Sequence, residues 1–397
     1  MVTLFLIPIY ILFSVYLCRW LFRWLNSCHC WFQNKVTKIV IISAYIFVSS
    51  TVIISFLLPV SPVQRVLKQI SNYWLGTLVY IFLVVLLADV GRIILKRTKW
   101  ISNEKLSSGR TFVITGGICI VLIAGISIYG ILNARNIRTT AYDVTIEKDA
   151  GELEDLKIAL VADLHLGYSI GDYHMEQMVE KINKMDADIV LIAGDIFDND
   201  YDALYPPDYL IKTLRGIKSK YGVYACYGNH DIQEKILVGF TFPGGEKKQS
   251  DLRMDEFLKK ANIKLLRDEA VLIDNAFYLV SRPDYKCPGR GIEQRKTPEQ
   301  ITAELDKTKP ILVMEHEPKE IEELEEAGAD MQLSGHTHDG QIWPGTWLIK
   351  CFWKNPYGYM KEGNLHSIVT SGIGVYGPAM RVDSKSEICE IHVSFQQ

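Results

Sequence analysis

Four near-continuous apolar stretches fill the first third of the chain, residues 2–18, 39–60, 73–95 and 112–132. They limit the fold more than any other feature. In a bilayer core only the chain itself can satisfy backbone N–H and C=O groups, so about 20 apolar residues read as a spanning helix. All four stretches are expected to cross, the first being only just long enough. In the third, Asp89 and Arg92 are three residues apart and share a helix face, where they can pair or reach the interface. A signal peptide is the weaker reading of 2–18, because no Lys or Arg precedes it while Arg19 and Arg23 follow.

Charge divides along the same line. Residues 1–138 carry fourteen Lys or Arg against two acids, Asp89 and Glu104, a net +12; the other 259 residues carry 29 basic and 44 acidic groups, a net −15. Basic and apolar together is a membrane pattern, and an acidic second half argues against a nucleic-acid partner. Ten cationic residues flank the first and third connections and four flank the second and the exit of the fourth span. By the positive-inside rule the chain is a multi-pass cell-membrane protein with both ends, and the second half, extracytoplasmic. The eight cysteines form no paired framework, and Cys28-His29-Cys30 falls short of a structural metal spacing.

Residues 139–156 read as a linker and first strand, since Tyr142, Val144 and Ile146 alternate with polar residues. A domain over 157–397 is long enough for a substantial core. Buried strands are expected at 157–162, 188–193 and 222–227, with helical patterns between them, which implies a parallel sheet with right-handed crossovers. Further strands are expected at 310–314 and 331–334. Five strand ends carry metal-binding side chains: Asp163 and His165; Asp195; Asn229 and His230; His316; His336 and His338. One histidine at a strand end is ordinarily structural, and Gly228-Asn229 is ordinary turn chemistry. Five such ends in succession point instead to one crevice outside the strand termini. Oxygen and imidazole donors without thiolate suit manganese, iron or zinc, manganese being favoured.

Asp-x-His at 163–165, Gly194-Asp195, Gly228-Asn229-His230-Asp231, His316 before Pro318 and Gly335-His336-Thr337-His338, in this order, resemble the calcineurin-like metallophosphoesterases. The resemblance covers about residues 157–393. The run through Asp339-Gly340-Gln341 and the membrane-embedded N-terminus are most similar to bacterial phosphoesterases of the YkuE and YaeI type. The implied fold is a four-layer α/β/β/α sandwich preceded by a four-helix transmembrane region, holding two divalent metal ions. By resemblance Asp163, His165 and His338 hold the first ion, Asn229, His316 and His336 the second, and Asp195 bridges. His230 stands beside the cluster as general acid, with Asp231 orienting its ring and favouring the imidazolium. A water shared by the ions would attack phosphorus in line. Arg381 is a candidate phosphate contact, with an ordinary surface arginine as the alternative.

Two readings follow. One is a membrane phosphoesterase acting on a monoester or diester, lipid-linked esters included; the other is a non-catalytic membrane sensor that keeps a metal-binding fold. A decayed enzyme should have lost ligands, yet all seven ligand positions and His230 carry competent side chains. A metalloprotease is poorly supported, because the sequence lacks His-Glu-x-x-His.

Overall fold

The structure, a computed structural model, describes residues 2–98, 100–234, 236–237, 240–241, 249–290 and 292–396, without side chains at 2–6, 236–237 and 240–241. The chain forms two compact units. One comprises Met1–Leu132, Ile236–Phe242 and Gly377–Met380; the other comprises Asn133–Lys235, Pro243–Tyr376 and Arg381–Gln397.

The first unit is built from helices α1 (Val2–Cys28), α2 (Lys35–Leu57), α3 (Pro62–Thr98), the short α4 (Asn103–Leu106) and α5 (Gly109–Ala134). Its burial pattern is inverted. Leu12, Leu57 and Val121 are each more than 70% exposed, while Thr51, Ser55, Gln64, Ser71 and Asn72 are buried. Some of the inward polar groups are paired, as where Gln64 Nε2 donates to Ser55 O and Trp74 Nε1 to Tyr10 Oη. Apolar faces outward and polar groups inward are what a hydrocarbon solvent selects. Among the described residues α2, α3 and α5 are long and apolar enough to cross a membrane. The fourth expected span, 2–18, lies in α1, partly on residues whose side chains are not described, and is not among these three.

The second unit holds two six-stranded sheets. The first has the order β1 (Ile137–Ile146), β14 (Ser386–Phe395), β2 (Asp155–Val161), β3 (Ile189–Ala193), β4 (Gly222–Cys226) and β7 (Ile263–Leu265). The second runs β12 (Gly358–Glu362), β13 (Leu365–Val369), β11 (Met331–Ser334), β10 (Ile311–Glu315), β9 (Phe277–Arg282) and β8 (Glu269–Ile273). Strands β2, β3, β4 and β7 are mutually parallel, as are β13, β11, β10 and β9. A small ribbon pairs β5 (Ile236–Leu237) with β6 (Phe240–Thr241) in the first unit.

Strand alternation explains the layers. Leu160, Leu191, Leu312, Met314, Leu333 and Ile368 meet in the core between the sheets. Val313 and Ile311 face the other way, onto Ile321 and Leu324 of α10 (Ile321–Glu326) and Ile301 of α9 (Pro298–Thr302). Helix α6 (Asp172–Met185) buries Met175, Met178 and Ile182 and packs beside α7 (Pro207–Leu214), which in turn meets α8 (Leu252–Lys260). Strands buried on both faces need these outer helices. The result is the expected four-layer sandwich. The first strand expected within 139–156 is the ten-residue edge strand β1, which begins two residues earlier and is paired along its whole length with β14.

Candidate metal centre

The C-terminal ends of β2, β3 and β4 in one sheet and of β10 and β11 in the other converge. Asp163, His165 and His338 form one group whose ligand atoms lie within 4.8 Å of one another, and Asp195, His316 and His336 form a second. The Asp195 carboxylate links them, with Oδ2 lying 3.0 Å from His316 Nε2 and 3.8 Å from His165 Nε2. Between the groups' members, His165 Nε2 and His338 Nε2 are 3.1 Å apart, as are His316 Nε2 and His336 Nδ1.

The backbone is bent to make this possible. Asp163, His165, Asp195, His336 and His338 all have positive φ, a conformation that costs a non-glycine residue on the order of 1 kcal/mol each. It turns the chain sharply after each strand so that successive side chains point back into the crevice. Glycines give the room: a Cβ on Gly228 would collide with Asp195 and His316, and one on Gly335 with Ala162 and Asp163.

Each buried carboxylate finds N–H donors. Asp195 Oδ1 accepts from His230 N at 2.7 Å, and both oxygens of Asp163 accept from His336 N. His316 Nδ1 lies 2.9 Å from Ala193 O, which fixes its N–H there and turns Nε2 toward Asp195. Burial works against the charge on Asp195, but His316 and His230 overcome it and hold its carboxyl well below the usual range. His316 is correspondingly raised, with Asp195 overcoming burial, while burial pushes Asp163 up to about 6. The protein alone thus favours a proton on His316 that a divalent cation would displace. Asn229 Oδ1 is buried without a hydrogen-bond partner. An orphaned carbonyl oxygen amid carboxylates and imidazoles fits a cation ligand.

Three sequence expectations change. Asp231 does not orient His230: its Oδ1 accepts from Phe197 N and its Oδ2 from Gly228 N, so it ties the β3 and β4 loops together. The partner of His230 Nδ1 is Asn199 Oδ1. The expected imidazolium is also not favoured, since burial lowers the His230 pKa despite Asp195. Arg381 is not a surface phosphate contact. It is fully buried, donating from Nη2 to Ser371 O and Gly374 O and from Nη1 to His338 O. Burial pushes its pKa down to about 10, so it remains a cation at neutral pH.

Sequence reasoning missed two residues. Asn199 lies four positions after Asp195, a spacing that offered a weak signal. Tyr376 packs its ring 4.4 Å from that of His230 and 5.6 Å from that of His165. Gln341, at the end of the Gly-His-Thr-His run, grips the Tyr376 backbone, accepting from its N and donating to its O. Beneath β10, Arg282 and Arg295 both pair with Glu315, the residue before His316. Arg282 is therefore a buried strut.

Residues 156–340 match the calcineurin-like phosphoesterase family. The chain is 28% identical over 285 residues to a transmembrane protein with metallophosphoesterase domain of Danio rerio, covering 69% of this chain and 61% of the relative. It is 30% identical over 244 residues to an uncharacterized metallophosphoesterase of Helicobacter pylori, covering 60% of each. A UDP-2,3-diacylglucosamine pyrophosphatase, LpxG, of Chlamydia trachomatis is 23% identical over 244 residues, 52% of this chain and 72% of the relative. The chain thus spans about three fifths of the length of the first two relatives. Neither they nor the third bear on the narrower YkuE and YaeI likeness. The ordered strand-end ligands and the two facing sheets agree with the family match: residues 156–340 carry a calcineurin-like phosphoesterase domain, in a chain that also has apolar helices long enough to cross a membrane.

Proposed function

We propose that the protein hydrolyses an amphiphilic phosphate ester at a membrane surface, using two divalent cations held between the sheet edges. The observation that carries this reading is the position of Asp195 Oδ2, within 3.8 Å of a ligand imidazole from each group. Asp163, His165 and His338 would hold one ion and Asn229, His316 and His336 the other, with Asp195 common to both. When bound, the ions supply Lewis acidity toward phosphate oxygens and lower the pKa of a water toward 7. The donor set is compatible with manganese, iron or zinc, and manganese is our choice.

His230 supplies the proton at the leaving oxygen. Its Nδ1 is engaged by Asn199, so Nε2 is the atom that exchanges it. Tyr376 closes one side of the ring and limits water there. A phosphate's negative charge beside the ring would oppose the burial that lowers its pKa. The complete ligand set together with His230 speaks against a non-catalytic sensor. A lipid-linked substrate draws support from the name of the Chlamydia relative and from the helices.

The catalytic unit is assigned to the extracytoplasmic side. The cationic connections flanking α2, α3 and α5 support that side whether or not α1 crosses. A membrane-impermeant thiol reagent on intact cells, directed at a cysteine replacing exposed Lys184, should label without lysis. Labelling only after lysis would reverse the orientation. Activity is tested on the full chain in detergent, measuring hydrolysis of aryl monoester, aryl diester and acylated sugar-nucleotide substrates with and without manganese. Metal-dependent release, abolished by chelator, is expected. A protein that binds two ions and cleaves none of these esters would overturn the reading.

A further inference from the structure

The segment 343–353, Trp-Pro-Gly-Thr-Trp-Leu-Ile-Lys-Cys-Phe-Trp, presents apolar side chains to the surroundings in an otherwise well-buried unit. Trp347 is 64% exposed, Leu348 57% and Phe352 76%. Elsewhere among the described residues of this unit, large exposed apolar side chains are scattered and mostly tyrosines. Three within six residues, with Lys350 exposed between them, have the composition of an interfacial element: aromatic and aliphatic groups for the acyl boundary and a cation for the headgroups.

Its anchoring gives this patch a place. Short helix α11 (Gly345–Leu348) is held by Thr346 Oγ1 donating to Asp383, and Trp343 N donates to Val382 O. The same turn receives the end of α5, where Asn133 Nδ2 donates to Arg381 O and Ser384 O and Ser386 Oγ donates to Ala134 O. The turn at 381–386 therefore joins the last residues of a membrane-competent helix to the exposed apolar segment. The segment also begins three residues after Gly340, just past His338, and ends with the Trp353 ring 5.2 Å from that of His336. One end thus follows directly on the His336–His338 run and the other packs against His336.

We propose that residues 343–353 form an interfacial foot that seats in the lipid headgroup layer beside the exit of α5, holding the metal centre at the bilayer surface. The occupant is a phospholipid bilayer: the neighbouring helix end and the exposed Lys350 favour it over a protein partner. Seating deepens the proposed function, because it would deliver an amphiphilic ester to the site, but its first test does not depend on turnover.

In the full chain, Cys18, Cys28, Cys30, Cys287 and Cys351 are replaced and buried Cys119, Cys226 and Cys389 are kept. Single nitroxide labels are placed at Trp347, Leu348, Phe352 or, as a solvent control, Lys184, and the protein is reconstituted in phosphatidylethanolamine–phosphatidylglycerol vesicles. Labels at 347, 348 and 352 should collide more with oxygen and less with a nickel chelate than the label at 184. Nickel access equal to the control would overturn the proposal. So would shielding from both reagents with dipolar broadening, which would mean that a second copy covers the patch. As a second readout, the double variant Trp347→Glu/Phe352→Glu should lose at least tenfold activity toward an ester embedded in vesicles and keep its activity toward a soluble aryl ester. Equal losses on both would count against the foot. Label depths as expected with no hydrolysis of any ester would leave the foot standing and sink the hydrolytic reading.

Discussion

The C-terminal edge of the first sheet brings Asp163, Asp195 and Asn229 together with His165 and His230, whereas the ligand candidates on the facing edge, His316, His336 and His338, are all imidazoles. Their support differs in kind. Carboxylates on the first edge are held by backbone N–H groups from neighbouring loops. The imidazole edge is braced from behind by buried arginines: Arg282 and Arg295 on Glu315, and Arg381 on the carbonyl of His338. A buried anion needs donors at once, since an unpaired charge costs several kcal/mol, and loop N–H groups are the nearest. An imidazole ligand, neutral once a divalent cation displaces its proton, needs only a fixed ring, so the arginines can stand one layer back. The first edge therefore carries the charge and the proton transfer, while the second fixes geometry. Substitutions on the two edges should fail differently.

The largest effect is expected at Asp195→Ala, which removes the one carboxylate common to both groups. Activity should fall below detection and most bound metal should be lost, as read by metal analysis of the purified variant. Two retained ions with normal turnover would show that the edges do not share a ligand. His230→Ala lies on the same edge but outside both ligand groups. It should keep both ions and slow turnover by about 10²–10⁴-fold. The loss should be smaller for nitrophenyl esters, whose leaving group needs no proton; equal losses for good and poor leaving groups would remove His230 from that role.

On the imidazole edge, Arg381→Met keeps the volume and removes the brace. Outer partners of metal ligands are worth about 10–100-fold in affinity or activity. Metal titration should show that loss confined to one ion, that of Asp163, His165 and His338, with turnover recovering at saturating metal. A turnover defect that persists at saturation would place Arg381 in the chemistry after all.

These contacts also mark how far the sequence could be read. The five strand ends were legible because the ligands sit in short local runs, three of them carrying a glycine demanded by crowding, Gly194, Gly228 and Gly335. The two-sheet architecture was less so: the sequence suggested parallel crossovers, and the sandwich came from resemblance. Asp231 was misread because adjacency to His230 was taken for contact; its side chain turns instead to the backbone of Phe197 and Gly228. The burial of Arg381 and Arg282 was not legible because nothing local announces it. Their partners Gly374 and Ser371, or Glu315 and Glu320, are set by the packing of separate strands. Tyr376 was missed for the same reason. The edge strand β1 was seen only in part, its alternation being half exposed.

The smallest expected effect sharpens the comparison most, because it lies on the first edge yet acts only by holding another residue. Asn199 is nearly fully buried, with its side chain engaged by His230 Nδ1 and Ile232 O and its own N–H donating to His230 O. Asn199→Ala deletes a neutral hydrogen bond, worth about 0.5–1.5 kcal/mol, so turnover should fall by about 3–10-fold with both ions retained. As a positioning residue it should act only through the ring. In the background of His230→Ala, Asn199→Ala should therefore cost almost nothing more, and the double-mutant cycle should show coupling close to the whole single-mutant effect. Asn199→Asp replaces the neutral acceptor with a charged one and should raise the His230 pKa, moving the basic limb of the pH–rate profile upward. Additive losses in the cycle, or an unmoved profile, would mean that Asn199 merely ties the β3 and β4 loops, as Asp231 does.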